Sequence, residues 1–273
     1  MRAFALSNAR AHACSRVGFR ARRRRRPSPP SMSSSSNASS STTSKSNEFD
    51  VHVVVFAARG SEEIELVTCV DVLRRAGARV TIAKCVPKVD DGDCENDDDD
   101  DEDEMFVTCS RDVKVKCDAT TRALMTSART TTTTTDARAV VVPGGMPGAS
   151  NIALDRDAMD LIKCVLKSEN GIVAAMCAAP VVVLARNGML DGKRATAHPA
   201  FANELRDRTS VDARVVVDGR VITSRGPGTA IEFALAIVSA LYGVEKAREV
   251  AKPMVTAGGG TRARVANEWT LDG

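Results

Sequence analysis

The feature that most constrains this chain is an alternation of short, β-branched apolar runs with amphipathic stretches. Val51 to Ala57 reads as a strand, followed by a loop at Gly60 and a helical stretch from about Glu62 to Ala76. Within that stretch Ile64, Val67, Val70 and the Val72/Leu73 pair recur at helical spacing, and Gly77 is the natural stop. Ala78 to Cys85 is a second strand, and Ala137 to Val142 another that runs into Pro143-Gly144-Gly145. A helix is predicted over roughly Asn151 to Lys167, then a strand from Gly171 to Met176, then a helix beginning right after Cys177. Arg214 to Val217 and Arg220 to Ser224 flank Asp218-Gly219, a turn pair that specifies a tight hairpin, and an apolar helix spans about Thr229 to Leu241. Strands joined by helices of this length form a mainly parallel, doubly wound α/β sheet with helices on both faces. Such sheets bind ligands at the carboxyl ends of their strands. The positions to search are therefore Gly60 to Glu65, Pro143 to Gly148, Cys177 to Pro180, His198 and Arg225 to Thr229.

Charge divides the chain into unlike parts, so its net of +3 describes none of them. Residues 1–47 carry nine Arg, Lys45 and thirteen Ser with no acid, which is the composition of an organelle transit peptide. The competing reading is a basic arm that touches RNA or anionic lipid, since Arg22 to Arg26 are consecutive. The Ser content favours the chloroplast over the mitochondrion, with a mature N-terminus expected near Ser46 to Phe49. Residues 90–104 hold twelve acids and no base. They lack the ligand spacing of a calcium loop and are expected to be a solvated insertion. Thr130 to Thr135 reads the same way, and Gly258 to Gly273 as a loose extension. The globular domain is then 48–257, long enough for a single core.

Composition excludes several classes of function. Aromatic residues make up only 3% of the chain, with one Trp and one Tyr, so a base-stacking nucleic-acid surface is not expected. The eight cysteines show no C-x-x-C spacing, which argues against a zinc site and against a disulfide framework. The longest apolar stretch, Ile172 to Ala185, is shorter than the ~18 to 20 residues of a membrane span.

Cys177 stands where a strand meets a helix. A sharp turn there would present the thiol above the sheet, and the helix N-terminus would lower its pKa. The plainer alternative is a cysteine of the core, which suits Cys69 and Cys164. Gly144 and Gly145 let backbone amides approach a ligand, so the amides of Gly145 and Ala178 could form an oxyanion hole beside the thiol. Glu62 and Glu63 are explained as first-turn charges of a helix. Glu65, between Ile64 and Leu66, is either a surface residue or a buried carboxyl with a raised pKa that exchanges protons with the thiol. His198 is a structural histidine or a neighbour of Cys177.

In order along the chain, GSEEIELVTCVDVLRRAGARVTIA, CSRDVKVKCD, VVVPGGMPGASN, GIVAAMCAAPVVVLA, TAHP and DGRVITSRGPGTAIEFALAIVSALYG resemble the DJ-1 branch of the ThiJ/PfpI superfamily. The resemblance covers about residues 50–256. It implies a flavodoxin-like homodimer without cofactor or metal, with Cys177 as nucleophilic, oxidation-sensitive thiol, Glu65 as its protonated partner and His198 close by. It further implies that Gly144, Gly145 and Ala178 line the oxyanion site, with Arg111 and Pro227 near it. The implied substrates are small reactive aldehydes or glycated adducts: conversion of methylglyoxal or glyoxal to lactate or glycolate, or deglycation. Redox sensing or chaperone activity through the same cysteine is the implied alternative. Met146 departs from the usual Asn after the two glycines, and Ala179 from the usual Gly. Ala178 stands where the peptidase-like branch has His, which lowers the peptidase reading, and the His-x-Glu pair of amidotransferases is absent.

Overall fold

The computed structural model describes residues 51–87, 105–130, 136–256 and 268–271. The expected presequence, the acidic insertion, Thr131 to Thr135 and most of the C-terminal extension lie outside the described residues.

Strand β1 (His52–Ala57) is buried along its whole length. Val53, Val55 and Ala57 enter one core layer, Val54 and Phe56 the other. A strand covered on both faces needs apolar residues at every position, which is why VVVFA shows no alternation. Helix α1 (Glu63–Arg75) leads to β2 (Arg79–Lys84), then to a hairpin of β3 (Phe106–Thr108) and β4 (Lys114–Lys116). β5 (Ala119–Thr120), α2 (Thr121–Thr130), β6 (Ala137–Val142), α3 (Gly148–Leu154), α4 (Arg156–Lys167) and β7 (Ile172–Met176) follow. The antiparallel pair β8 (Val215–Asp218) and β9 (Val221–Ser224) precedes α5 (Ala230–Tyr242) and α6 (Val244–Ala251).

The main sheet has the order β5-β2-β1-β6-β7-β9-β8, and only the β8–β9 pair is antiparallel. α1, α5 and α6 cover one face; α2, α3, α4 and the segment after β7 cover the other. This is the doubly wound α/β architecture that the alternation predicted, and the flavodoxin-like form that the resemblance implied. From β1 the chain winds toward β2, and from β6 in the opposite direction toward β7. The carboxyl ends of β1 and β6 therefore flank the crevice where such sheets take ligands. Among the described residues, no helix is long and apolar enough to cross a membrane.

Three expectations are corrected. The helix over Asn151 to Lys167 is two helices, broken at Asp155. That residue takes an extended conformation (φ −79°, ψ 108°) and uses its carboxylate to cap α4 through the Ala158 amide at 3.0 Å. The segment after Cys177 is not a regular α-helix but a π-helical turn, Pro180–Leu184, followed by a 3-10 turn, Ala185–Asn187. Pro180 offers no amide and three consecutive valines crowd a regular helix, so the turn widens and the Ala185 amide reaches back to the Pro180 carbonyl. The C-terminal extension is not loose throughout. The Trp269 amide donates to the Val215 carbonyl at 2.9 Å, and Trp269 and Leu271 pack against the α5 side of the core.

Asp155 also joins elements that are distant in sequence. Its second oxygen accepts from the Val86 amide (2.9 Å) and the Thr121 hydroxyl (2.6 Å), with the side chain almost fully buried. Asp155→Ala removes a helix cap and two further buried bonds, an expected loss of about 2 to 4 kcal/mol. Thermal unfolding followed by circular dichroism should show the midpoint lowered by roughly 5 to 10 °C.

Candidate active site

Cys177 lies immediately beyond β7 with φ 63°, a left-handed conformation that costs a non-glycine residue about 1 to 3 kcal/mol. Two bonds hold it there. Its amide donates to the Ser224 carbonyl at the end of β9 (2.9 Å), and its carbonyl accepts from the His198 amide (2.8 Å). Cys177 is only partly buried, whereas Cys69, Cys85, Cys109 and Cys117 are buried.

The thiol meets a carboxyl and two amides. Glu65 sits in the first turn of α1 with no exposed surface. Its amide donates to the carboxylate of Glu62, the helix cap, at 2.8 Å. One Glu65 oxygen, Oε2, accepts from the Gly144 amide at 2.7 Å. The other, Oε1, is buried without a partner of regular hydrogen-bond geometry, and the Cys177 thiol is the neighbouring group with which the carboxyl interacts. Gly144 is required by this closeness: a β-carbon there would lie 2.5 Å from Cys177 Cβ, 3.0 Å from the Ala178 nitrogen and 3.0 Å from Glu65 Oε2. Gly145 takes φ 85°, and its amide, with that of Ala178, is directed at the sulfur.

Burial raises the Glu65 carboxyl to about 7, against the opposing pull of the Gly144 amide and the thiol. Burial, followed by the facing carboxylate, also pushes the Cys177 thiol up to about 12, while the two amides work the other way. The thiol is therefore raised rather than lowered as expected, because burial and the facing carboxylate outweigh the two amides. Physically the two groups are one unit. Removing a single proton from the thiol and carboxylic acid leaves either a thiol beside a carboxylate or a thiolate beside a carboxylic acid.

The remaining predicted residues form a surround. The ring of His198 accepts through Nδ1 from the Ala200 amide (3.2 Å) and lies edge-on to Phe201. A neutral ring thus carries its proton on Nε2, and among the described residues no hydrogen bond joins it to the thiol. His198 enters the site through its backbone. Pro227 opens a short 3-10 turn, Pro227–Thr229, next to Gly226, where a β-carbon would stand 3.6 Å from the His198 ring. Arg111 occupies the rim: its amide donates to Glu63 Oε1 (2.7 Å) and its exposed guanidinium to the Ser110 carbonyl (3.0 Å).

Residues that sequence reasoning passed over hold this surround together. Glu63 grips Arg111 and the Ser110 hydroxyl (2.7 Å); burial works to raise its pKa, but these bonds outweigh it and keep the carboxyl below its ordinary value. Buried Ser61 accepts from the Ala58 amide through its hydroxyl and from the Ser110 amide through its carbonyl. Both residues look in sequence like ordinary helix-start residues, and no periodicity marks them. Among the described residues, no three His, Cys, Asp or Glu side chains gather as a metal site.

A strained cysteine at the carboxyl end of a doubly wound sheet, facing a buried carboxyl and two amides, defines a cysteine-centred α/β protein of the ThiJ/PfpI type. Residues 51–240 match the DJ-1/PfpI family, and the chain belongs to that family, in its DJ-1 branch. It is 39% identical over 206 residues to the Drosophila melanogaster protein dj-1beta, covering 75% of this chain and 96% of that one. The solved structure of DJ-1beta covers 77% of this chain and all of its own with a TM-score of 0.63 and 36% identity. The Arabidopsis thaliana protein DJ-1 homolog B is 37% identical over 209 residues, 77% of this chain, which spans only 42% of that protein's length. The Caenorhabditis elegans glutathione-independent glyoxalase DJR-1.2 is 31% identical over 207 residues, covering 75% and 96% of the two chains.

Because the folded Glu65 carboxyl titrates near 7 and an unfolded one near 4.5, protonation stabilises the fold fully below about pH 4.5. That contribution is lost as pH rises through about 7, a difference of up to about 3 kcal/mol. Glu65→Gln should flatten this dependence and raise the unfolding midpoint above wild type at pH 8, with no such gain at pH 4.5, as measured by calorimetry across that range.

Proposed function

We propose that this chain is a cofactor-independent glyoxalase that converts methylglyoxal or glyoxal to lactate or glycolate, with deglycation of early glycated adducts as a related activity. The observation that carries this reading is the pairing of a buried carboxyl, raised to about 7, with a strained thiol under two amides. The named activity of the C. elegans relative supports it.

Glu65 takes the thiol proton, and the sulfur of Cys177 adds to the aldehyde carbon, forming a C–S bond. The amides of Gly145 and Ala178 stabilise the developing oxyanion, which recovers the proton from Glu65 to give a hemithioacetal. The Glu65 carboxylate then removes the hydrogen on the sulfur-bearing carbon as a proton and returns it to the adjacent carbon, while the hydroxyl proton of the first carbon passes to the oxygen of the second, turning the hemithioacetal into a thioester. Water cleaves the thioester, releasing the hydroxy acid and the thiol. The oxidation of one carbon balances the reduction of its neighbour, so no external electron acceptor is consumed. The rim cation Arg111 would attract the acid product.

Cys177→Ser and Glu65→Gln should each lower kcat/KM for methylglyoxal by at least about a hundredfold, the scale of one lost acid-base or nucleophilic group. In the wild type kcat/KM should rise with pH through about 7, as Glu65 ionises and can accept the thiol proton. Lactate formed from methylglyoxal without added thiol is the readout, and unchanged turnover in either variant defeats the mechanism. The redox-sensor reading draws support from the partial exposure of Cys177. It requires the opposite pattern: selective peroxide oxidation of Cys177 with negligible aldehyde turnover.

The partner surface we propose is a second copy of the chain. On α1, next to the site, Ile64 and Val67 are about half exposed, as is Val113 on the hairpin that docks there. Val67→Glu should convert dimer to monomer in light scattering; an unchanged mass removes α1 from the interface. An organelle address in residues 1–47 remains part of the proposal.

A further inference from the structure

We propose that the C-terminal segment Glu268–Leu271 is a strap that positions the turn beside Cys177, with Glu268 and Arg214 as its positioning residues. The proposal rests on the reading of Cys177 as the reacting thiol. The strap lies beyond residues 51–240, which match the family.

The segment docks on β8, the edge strand of the sheet. An edge strand offers unpaired carbonyls and amides to any passing chain. Here the Trp269 amide takes the Val215 carbonyl (2.9 Å), and a Glu268 carboxylate oxygen accepts the Arg214 amide (3.0 Å). Trp269 and Leu271 add partly buried apolar surface against the α5 layer.

From Arg214 three connections run toward the site. Its guanidinium binds both oxygens of Glu232 (2.7 and 2.6 Å) and, through the same Nη2, the Gly228 carbonyl (2.6 Å). Its carbonyl accepts from the Ser224 hydroxyl (2.7 Å), which also bonds the Thr229 hydroxyl (2.6 Å). The Ser224 carbonyl in turn accepts the Cys177 amide, one of the two bonds that hold the strained residue. Gly226 and Pro227, on the His198 side of the site, lie within the turn that Gly228 and Thr229 anchor. The strap thus grips the residue that braces this turn and reaches the elbow through a single carbonyl.

The test compares the full chain with a chain ending at residue 267 and with Glu268→Gln, which leaves the rest of the strap in place. Two quantities are read: the rate of Cys177 alkylation by iodoacetamide, located by mass spectrometry, and KM and kcat for methylglyoxal. Loss of the strap should speed alkylation and raise KM, each by about threefold to tenfold, the factor set by one or two hydrogen bonds, with kcat within about twofold. Glu268→Gln should move both quantities in the same direction by less. A peptide of residues 264–273 added to the shortened chain should restore both values, which separates positioning from general loss of fold. Equal alkylation rates and KM values in the full and shortened chains overturn the proposal, as does a change that the peptide does not reverse. If the full chain turns over no methylglyoxal, the proposed function fails alone, because alkylation reads the strap without it.

Discussion

The site depends on two backbone hydrogen bonds that hold Cys177 at positive φ. A left-handed cysteine costs about 1 to 3 kcal/mol, and the amide bond to Ser224 and the carbonyl bond from His198 are of comparable combined worth. Neither partner is local in sequence. Ser224 ends β9, which must pair beside β7, and His198 belongs to the long connection between them. The strand order is therefore a condition for the thiol's placement as well as a scaffold beneath it. β7 and β9 pair in register up to Met176 and Ser224, and Cys177, the next residue of the β7 chain, takes the strained turn.

Around that turn the chain accepts a second cost for chemistry. Burying Glu65 without exposed surface makes its ionised form expensive, and a glutamine would suit the cavity better for folding alone. The carboxyl is held by the Gly144 amide and by proximity to sulfur, and only a residue without a β-carbon can stand at 144. Strain at Cys177 and burial at Glu65 are separate penalties, carried by different elements. They meet in one space because β1 and β6 are adjacent and wind in opposite directions. The two arms of the crevice each bring one penalised group or its partner.

The residues alone made the central strands legible. Val51 to Ala57 and Ala137 to Val142 coincide with β1 and β6 nearly to the residue, because a strand buried on both faces must be continuously apolar. Asp218-Gly219 located the β8–β9 hairpin to within one residue: Asp218 is the last residue of β8, paired with Val221, and the turn itself is Gly219, at φ 59°, and Arg220. The failures have equally specific causes. Asp155 looked like one polar position of a long helix, since its capping role depends on the Ala158 amide and on contacts from Val86 and Thr121 that no window of sequence contains. The β3–β4 hairpin is too short for any period to declare itself, and α6 was lost behind Gly243. Trp269, the single tryptophan, sits in a polar tail whose composition suggested no anchorage.

Period and composition were enough to determine the doubly wound sheet, the strand ends at which chemistry could occur, and Cys177 and Glu65 as residues to watch. Those properties follow from local preference and from burial pattern, which each residue carries with it. Three things were decided only in the tertiary structure. Glu65 is buried rather than exposed, the thiol is raised rather than lowered, and His198 serves through its backbone while Glu63, Ser61 and Arg214 brace the surround. Each depends on which atoms from remote segments share a few ångströms of space. Desolvation, Coulomb interaction and hydrogen bonding fall off over that same distance, so none of them can be read from one strand or helix considered alone.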